Sequence, residues 1–157
     1  MPDSRSELVL LIDAMARLHG RLREAFSSAR AASALSDMEH TVLVAVVEAQ
    51  RAPTVPQIGR SLGHPRQVIQ RAANALQDAG LIATLPNPDH KRAALLVATE
   101  RGTTMQSQAN RKAEAIANEL LQHIDPGQVR DATGLLGAIR SGLETYDRLA
   151  QTKRTTV

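Results

Sequence analysis

Cysteine is absent from the 157-residue chain. Disulfides, thiolate zinc sites and thiol redox switches are thereby excluded, and a reducing compartment fits. Tryptophan is absent too, and Phe26 and Tyr146 are the only aromatic residues. Leu, Ile, Val and Ala must therefore build the core, which suits packed helices, where Ala and Leu lose little side-chain freedom. No apolar run approaches the roughly 18 residues of a membrane span, and Met1 to Glu7 carries acids where a signal peptide is basic. A cytoplasmic protein with no membrane partner is expected. Catalytic signatures are missing as well: there is no His-Glu-x-x-His, no glycine-rich phosphate loop and no Gly-x-Ser-x-Gly. The sequence thus gives no reason to expect an enzyme, a resident cofactor or a metal. Glu39, His40 and His123 are the residues that folding could gather around a sensed metal, although lone exposed or capping histidines are commoner.

What is present is a globular composition, 43% hydrophobic, with a formal charge of +3 and a pI near 9.9. That balance permits a polyanionic partner without requiring one. From Glu7 to about Ala29, Leu8, Leu11, Ile12, Met15, Leu18, Leu22 and Phe26 recur at helical spacing close to a heptad stripe. Asp13, Arg17, Arg21 and Arg23 lie opposite. A second helix starts at Ser36, which with Glu39 has the form of a capping box; its Val42, Leu43, Val46 and Val47 should be buried. Thr54 caps a short helix with Pro56 in its first turn and Ile58 and Leu62 inward. Gly63 permits a tight turn, and Pro65 opens a helix that runs to about Asp78 and ends at Gly80. Leu81 to Leu85 and Ala94 to Ala98 have the composition of short strands around a proline-rich tip. Thr99 then caps a helix to about His123. Asp125-Pro126-Gly127 separates it from a last helix carrying Leu136, Ile139, Leu143 and Tyr146, and the tail Thr152 to Val157 is expected to fray.

In the helix from Pro65 to Asp78, Val68, Ile69, Ala72, Ala73 and Leu76 form one apolar stripe. Arg66, Gln67, Gln70, Arg71 and Asn74 occupy the other side, and His64 stands just before it. Arg can donate two hydrogen bonds to guanine, and Gln or Asn can pair bidentately with adenine. The residues near the N-terminal end, His64, Arg66, Gln67, Gln70 and Arg71, are the best placed to enter a groove. The loop tip adds His90, Lys91 and Arg92, and an arginine entering a narrow minor groove gains from its negative potential. From Thr54 to Gly102 six Lys or Arg face three Asp or Glu, an excess equal to the +3 of the whole chain. The remaining helices are neutral overall, as expected if they serve packing and pairing.

The order helix, turn, helix, strand, loop, strand is that of a winged helix-turn-helix. Its most specific stretch is Ala79-Gly80-Leu81-Ile82, then Asn87-Pro88-Asp89-His90-Lys91-Arg92-Ala93, then Ala98-Thr99-Glu100-Arg101-Gly102. This resembles the "G-L-I … D-x-R … L-T-x-x-G" pattern of the MarR family of bacterial transcription regulators, and the likeness in element order covers nearly the whole chain. There are departures. His90 stands where the family usually has Asp, with Asp89 one residue early; Ala98 replaces a Leu; Ala83-Thr84 replace a common basic residue. The family's wing Asp normally braces the wing arginine, so either Asp89 substitutes for it or Arg92 is held more loosely.

The resemblance implies a mainly α fold, a winged helix-turn-helix with long N- and C-terminal dimerisation helices. Residues 1–35 would form the N-terminal dimerisation helix, 36–102 the DNA-binding domain and 103–157 the C-terminal dimerisation helices. It implies a homodimer on double-stranded DNA, reading a pseudo-palindromic operator with half-sites about 10 bp apart. It further implies repression relieved by a small-molecule effector, often an aromatic or phenolic anion, seated between the pairing helices and the reading domain. The alternative is a winged-helix protein-interaction module that does not bind DNA. In that case a protein would cover the polar face of the helix from Pro65, and binding would lack the steep salt dependence of phosphate contacts.

Overall fold

The computed structural model describes residues 5–31 and 34–155. Residues 1–4, the first part of the acidic N-terminal stretch, and 156–157, the end of the tail, lie outside the described residues. The chain divides into two compact units, 1–114 and 115–157. The first holds α1 (Glu7–Ala25), α2 (Ser27–Ala31), α3 (Asp37–Val47), α4 (Val55–Leu62), α5 (Arg66–Asp78), β1 (Ile82–Leu85) and β2 (Leu95–Ala98). It also holds most of α6 (Glu100–Leu120), and α7 (Pro126–Thr155) belongs to the second. Among the described residues no helix is long and apolar enough to cross a membrane.

Three boundaries differ from the sequence expectation: α6 ends at Leu120, short of His123, and two others lie in α1 and α7. The first helix does not run unbroken to Ala29: Phe26, at φ −92° and ψ 10°, interrupts it. The tail does not fray from Thr152, since α7 continues to Thr155. The sequence contains no glycine or proline after Gly142 to stop that helix.

The core sits where α3, α5 and the hairpin meet. Val42, Leu43, Ile69, Leu76 and Leu81 are its most deeply buried large side chains, joined by Val46, Ile58, Ala72, Ala73, Ile82 and Leu96. Each Leu or Ile fully removed from water contributes about 1.5–3 kcal/mol. Of the apolar run expected in α3, Val47 is only half-buried, at the edge of this cluster.

Caps fix where the helices begin. Ser36 and Glu39 form the expected capping box on α3, the Ser36 N–H donating to Glu39 Oε2 at 3.0 Å. On α4 the same device joins Thr54 and Gln57: the Thr54 N–H donates to Gln57 Oε1 at 2.8 Å, and Thr54 Oγ1 accepts from the Gln57 N–H at 3.4 Å. Gly63 closes α4 at φ +66°, in the left-handed region that favours glycine. At the end of α5, the Leu81 N–H donates to the Leu76 carbonyl (2.9 Å) and the Gly80 N–H to that of Gln77 (2.8 Å). That is a Schellman motif with Gly80 at φ +68°. The chain then enters an antiparallel hairpin, Ile82 opposite Ala98 and Leu85 opposite Leu95. The Leu96 N–H donates to the Pro53 carbonyl at 2.8 Å, which ties β2 to the segment entering α4.

Candidate nucleic-acid interface

Helix α5 follows α4 across the short turn Gly63 to Pro65. The two helices approach closely at Gly59, where an added Cβ would lie 3.0 Å from the His64 carbonyl oxygen and 3.7 Å from Ile69 Cγ1. On α5, Ile69, Ala72, Ala73 and Leu76 are buried, whereas Arg66, Gln67, Gln70, Arg71 and Asn74 are exposed. The helix therefore separates into a packed face and a free polar face, as its spacing predicts. Gln70 Nε2 donates to Asn74 Oδ1 at 2.9 Å, one turn away, so these two amides lie along the helix as a pair. His64 is exposed in the turn ahead of α5.

His90, Lys91 and Arg92 are exposed in the loop between β1 and β2. That loop is held by Asn87, which sequence reasoning does not single out. Asn87 Nδ2 donates to the Ala93 carbonyl at 2.9 Å, and Asn87 Oδ1 accepts from the Asp89 N–H at 3.0 Å. An Asn at the mouth of a Pro-rich turn is the available signal, since Asn side chains bond their own backbone two residues on. Among the described residues no ion pair joins Asp89 to Arg92. Asp89 and Arg92 are thus not directly paired, and Asn87 ties together the backbone of the loop that carries Arg92.

Not all the candidate residues lie on one surface. Arg66, His90 and Arg92 line a common groove of about 620 Å³ between α4, the start of α5 and the loop. Gln67, Gln70, Arg71 and Asn74 remain on the α5 face, and His64 and Lys91 do not line the groove. Two further arginines enter it, Arg51 and Arg60. Arg51 lies just outside the stretch from Thr54, and a lone Arg on either side of Pro53 gives little sequence signal.

Among the described residues no group of three His, Cys, Asp or Glu side chains could hold a metal. His40 instead lines a cleft of about 190 Å³ with Phe26 and Asn110.

A model of the MarR family matches residues 35–93, which span α3 through the loop. That segment of the chain is similar to the winged helix of the MarR family. Uncharacterized proteins of Mycobacterium tuberculosis and Mycobacterium bovis are each 40% identical to it over 84 residues, 54% of this chain and 59% of theirs. The match thus spans about three fifths of those relatives' length. Among solved structures, a MarR-family regulator from Rhodococcus sp. RHA1 superposes with a TM-score of 0.74 at 20% identity, over 87% of this chain and 96% of its own. CouR from Rhodococcus jostii RHA1, bound to p-coumaroyl-CoA, gives 0.69 at 21% identity over 80% and 88%. A mutant of MarR from E. coli complexed with operator DNA gives 0.72 at 18% identity over 87% and 98%. These likenesses establish the fold, a mainly α winged helix, over most of the chain.

Proposed function

We propose that this protein is a sequence-specific DNA-binding transcription regulator of the bacterial cytoplasm. It works as a homodimeric repressor on a pseudo-palindromic operator and is released by a small-molecule effector. It acts by binding and carries out no catalytic step. The observation that carries the reading is the division of α5. Its apolar stripe is buried, and the exposed face offers Arg66, Gln67, Gln70, Arg71 and Asn74, with the basic loop beside it. Those side chains match the donor and acceptor patterns of base edges in a major groove. The fold shared with a MarR mutant complexed with operator DNA supports the same reading.

Dimerisation is supported by what α1 leaves uncovered. None of its 19 residues is buried, and Leu8, Ile12, Met15, Leu18 and Leu22 are each 40% or more exposed. On α7, Leu135, Leu143 and Leu149 are more than half exposed. Apolar stripes of this length mark interaction surfaces, and a second copy of the chain is the partner the family resemblance implies. Effector release is supported by CouR, a structural neighbour bound to p-coumaroyl-CoA. In this chain the small cleft at Phe26, His40 and Asn110 is the candidate seat for an aromatic or phenolic anion.

Selection of bound duplexes from a random DNA pool at two salt concentrations tests the proposal. The expected product is an inverted repeat with half-sites about 10 bp apart, recovered less well at high salt. A pool with no enriched sequence at either salt concentration would reject it in favour of a protein-interaction module.

A further inference from the structure

A helix in the major groove and a wing in the neighbouring minor groove leave a ridge of sugar and phosphate between them. Between α5 and the loop, where such a ridge would lie, is the 620 Å³ groove. Its titratable lining is Arg51, Arg60, Arg66, Arg92 and His90, with Asp89 as the single carboxylate. The arginines come from four separate places: the segment before α4, α4 itself, the first residue of α5, and the loop. Among the described residues none of them is in an ion pair, so their charge is left uncompensated by the protein. Arg pairs with phosphate oxygens through two parallel donors, and contacts of that kind position a protein on a duplex without reading sequence.

Resting on the DNA-binding reading above, we infer that this groove seats the phosphate ridge. Arg51 and Arg60 act as backbone clamps, and Arg66 faces phosphate where the sequence pattern alone assigns it to bases. The base-reading set then contracts to Gln67, Gln70, Arg71 and Asn74. The shared ligand chemistry is the phosphate oxygen, and the source is the diester of the duplex.

The test is the double variant Arg51→Ala/Arg60→Ala beside the wild type. Binding is titrated against the selected operator and a shuffled duplex over a range of salt. The clamp requires both duplexes to weaken by the same factor and the selected sequence to stay unchanged. The slope of log K against log salt should fall by roughly 0.9 for each arginine removed per protomer. Unchanged slope and affinity would overturn it, as would a loss confined to the operator. Inorganic phosphate bound by the free wild-type protein, with DNA affinity of the variant intact, would assign the groove to a free anion and overturn it too. The Arg51→Lys/Arg60→Lys variant keeps the charge and should keep the slope, which separates the clamp from a folding defect. If the wild type itself shows no salt-dependent binding to either duplex, the DNA reading fails first and the clamp falls with it.

Discussion

Gly102, in the first turn of α6, lies directly against the Leu81 carbonyl oxygen, so close that a Cβ at position 102 would overlap it. The contact belongs to a latch between the end of α5 and the start of α6. The Arg101 Nη1 donates to the Ala79 carbonyl at 2.9 Å, and Thr99 Oγ1 donates to that of Gly80 at 2.8 Å. The Thr99 N–H donates to that of Leu81 at 3.0 Å. Three consecutive carbonyls after α5 are thus taken by Thr99 and Arg101, which fixes the end of α5 against the start of α6. Gly102→Ala should destabilise the protein by about 1–3 kcal/mol, the usual cost of overpacking. Gly20→Ala is the contrast: nothing lies within 4 Å of that site in α1, so it should gain roughly 0.5–1 kcal/mol of helix stability. Denaturant midpoints with unchanged slopes measure both.

Arg71 stands mid-face on α5, exposed and one residue after Gln70, whose amide is tied to Asn74. Arg71→Ala should therefore remove preference at one base pair per half-site, worth about 1–3 kcal/mol, while weak binding survives. Repeating the pool selection with this variant reads the result. An unchanged sequence preference would take Arg71 out of the base-reading set.

Asn87 holds the basic loop through its side chain. The two Asn87 hydrogen bonds, at 2.9 and 3.0 Å, span the turn that carries Lys91 and Arg92. Asn87→Ala should weaken DNA binding across unrelated sequences, with a stability loss of about 0.5–1.5 kcal/mol per hydrogen bond. Arg92→Ala should likewise weaken binding everywhere and lower the salt slope. Asp89→Ala removes the one carboxylate of a cationic groove, so it should bind DNA as well as the wild type or better. Parallel titrations of the three variants decide; a larger loss for Asp89→Ala than for Asn87→Ala would restore the carboxylate brace.

Much of the fold is legible in the sequence because local rules and tertiary packing agree. Ser36 with Glu39, Gly63, Gly80 and Thr99 each mark a helix end by backbone chemistry that acts within a few residues. The period of Ile69, Ala72, Ala73 and Leu76 is enough to place the polar face of α5. What the sequence hides is non-local. Arg51 and Arg60 join Arg66 and Arg92 only after the hairpin folds back against the segment that enters α4, and no spacing along the chain encodes that. The Phe26 break is masked by an apolar stripe that continues at helical spacing through it. Asn87 escapes notice because the family pattern draws attention to the position of Asp89.

The apolar stripe of α1 supplies the last test. Ile12 is 59% exposed and Leu18 55%, so neither belongs to the buried core of the described chain. Replacing both with Glu should leave the fold intact by circular dichroism and melting, since the substitutions remove no buried contact. If a second copy covers this stripe, the interface instead acquires two desolvated carboxylates per protomer, each costing several kcal/mol unless it is paired or protonated. Sedimentation should then show Ile12→Glu/Leu18→Glu shifted from dimer toward monomer. Its affinity for the full inverted repeat should fall to that for a single half-site, because the second half-site no longer gains from linkage. A variant that remains fully dimeric with undiminished operator affinity would move the pairing surface off α1, leaving the α7 residues Leu135, Leu143 and Leu149 to carry it.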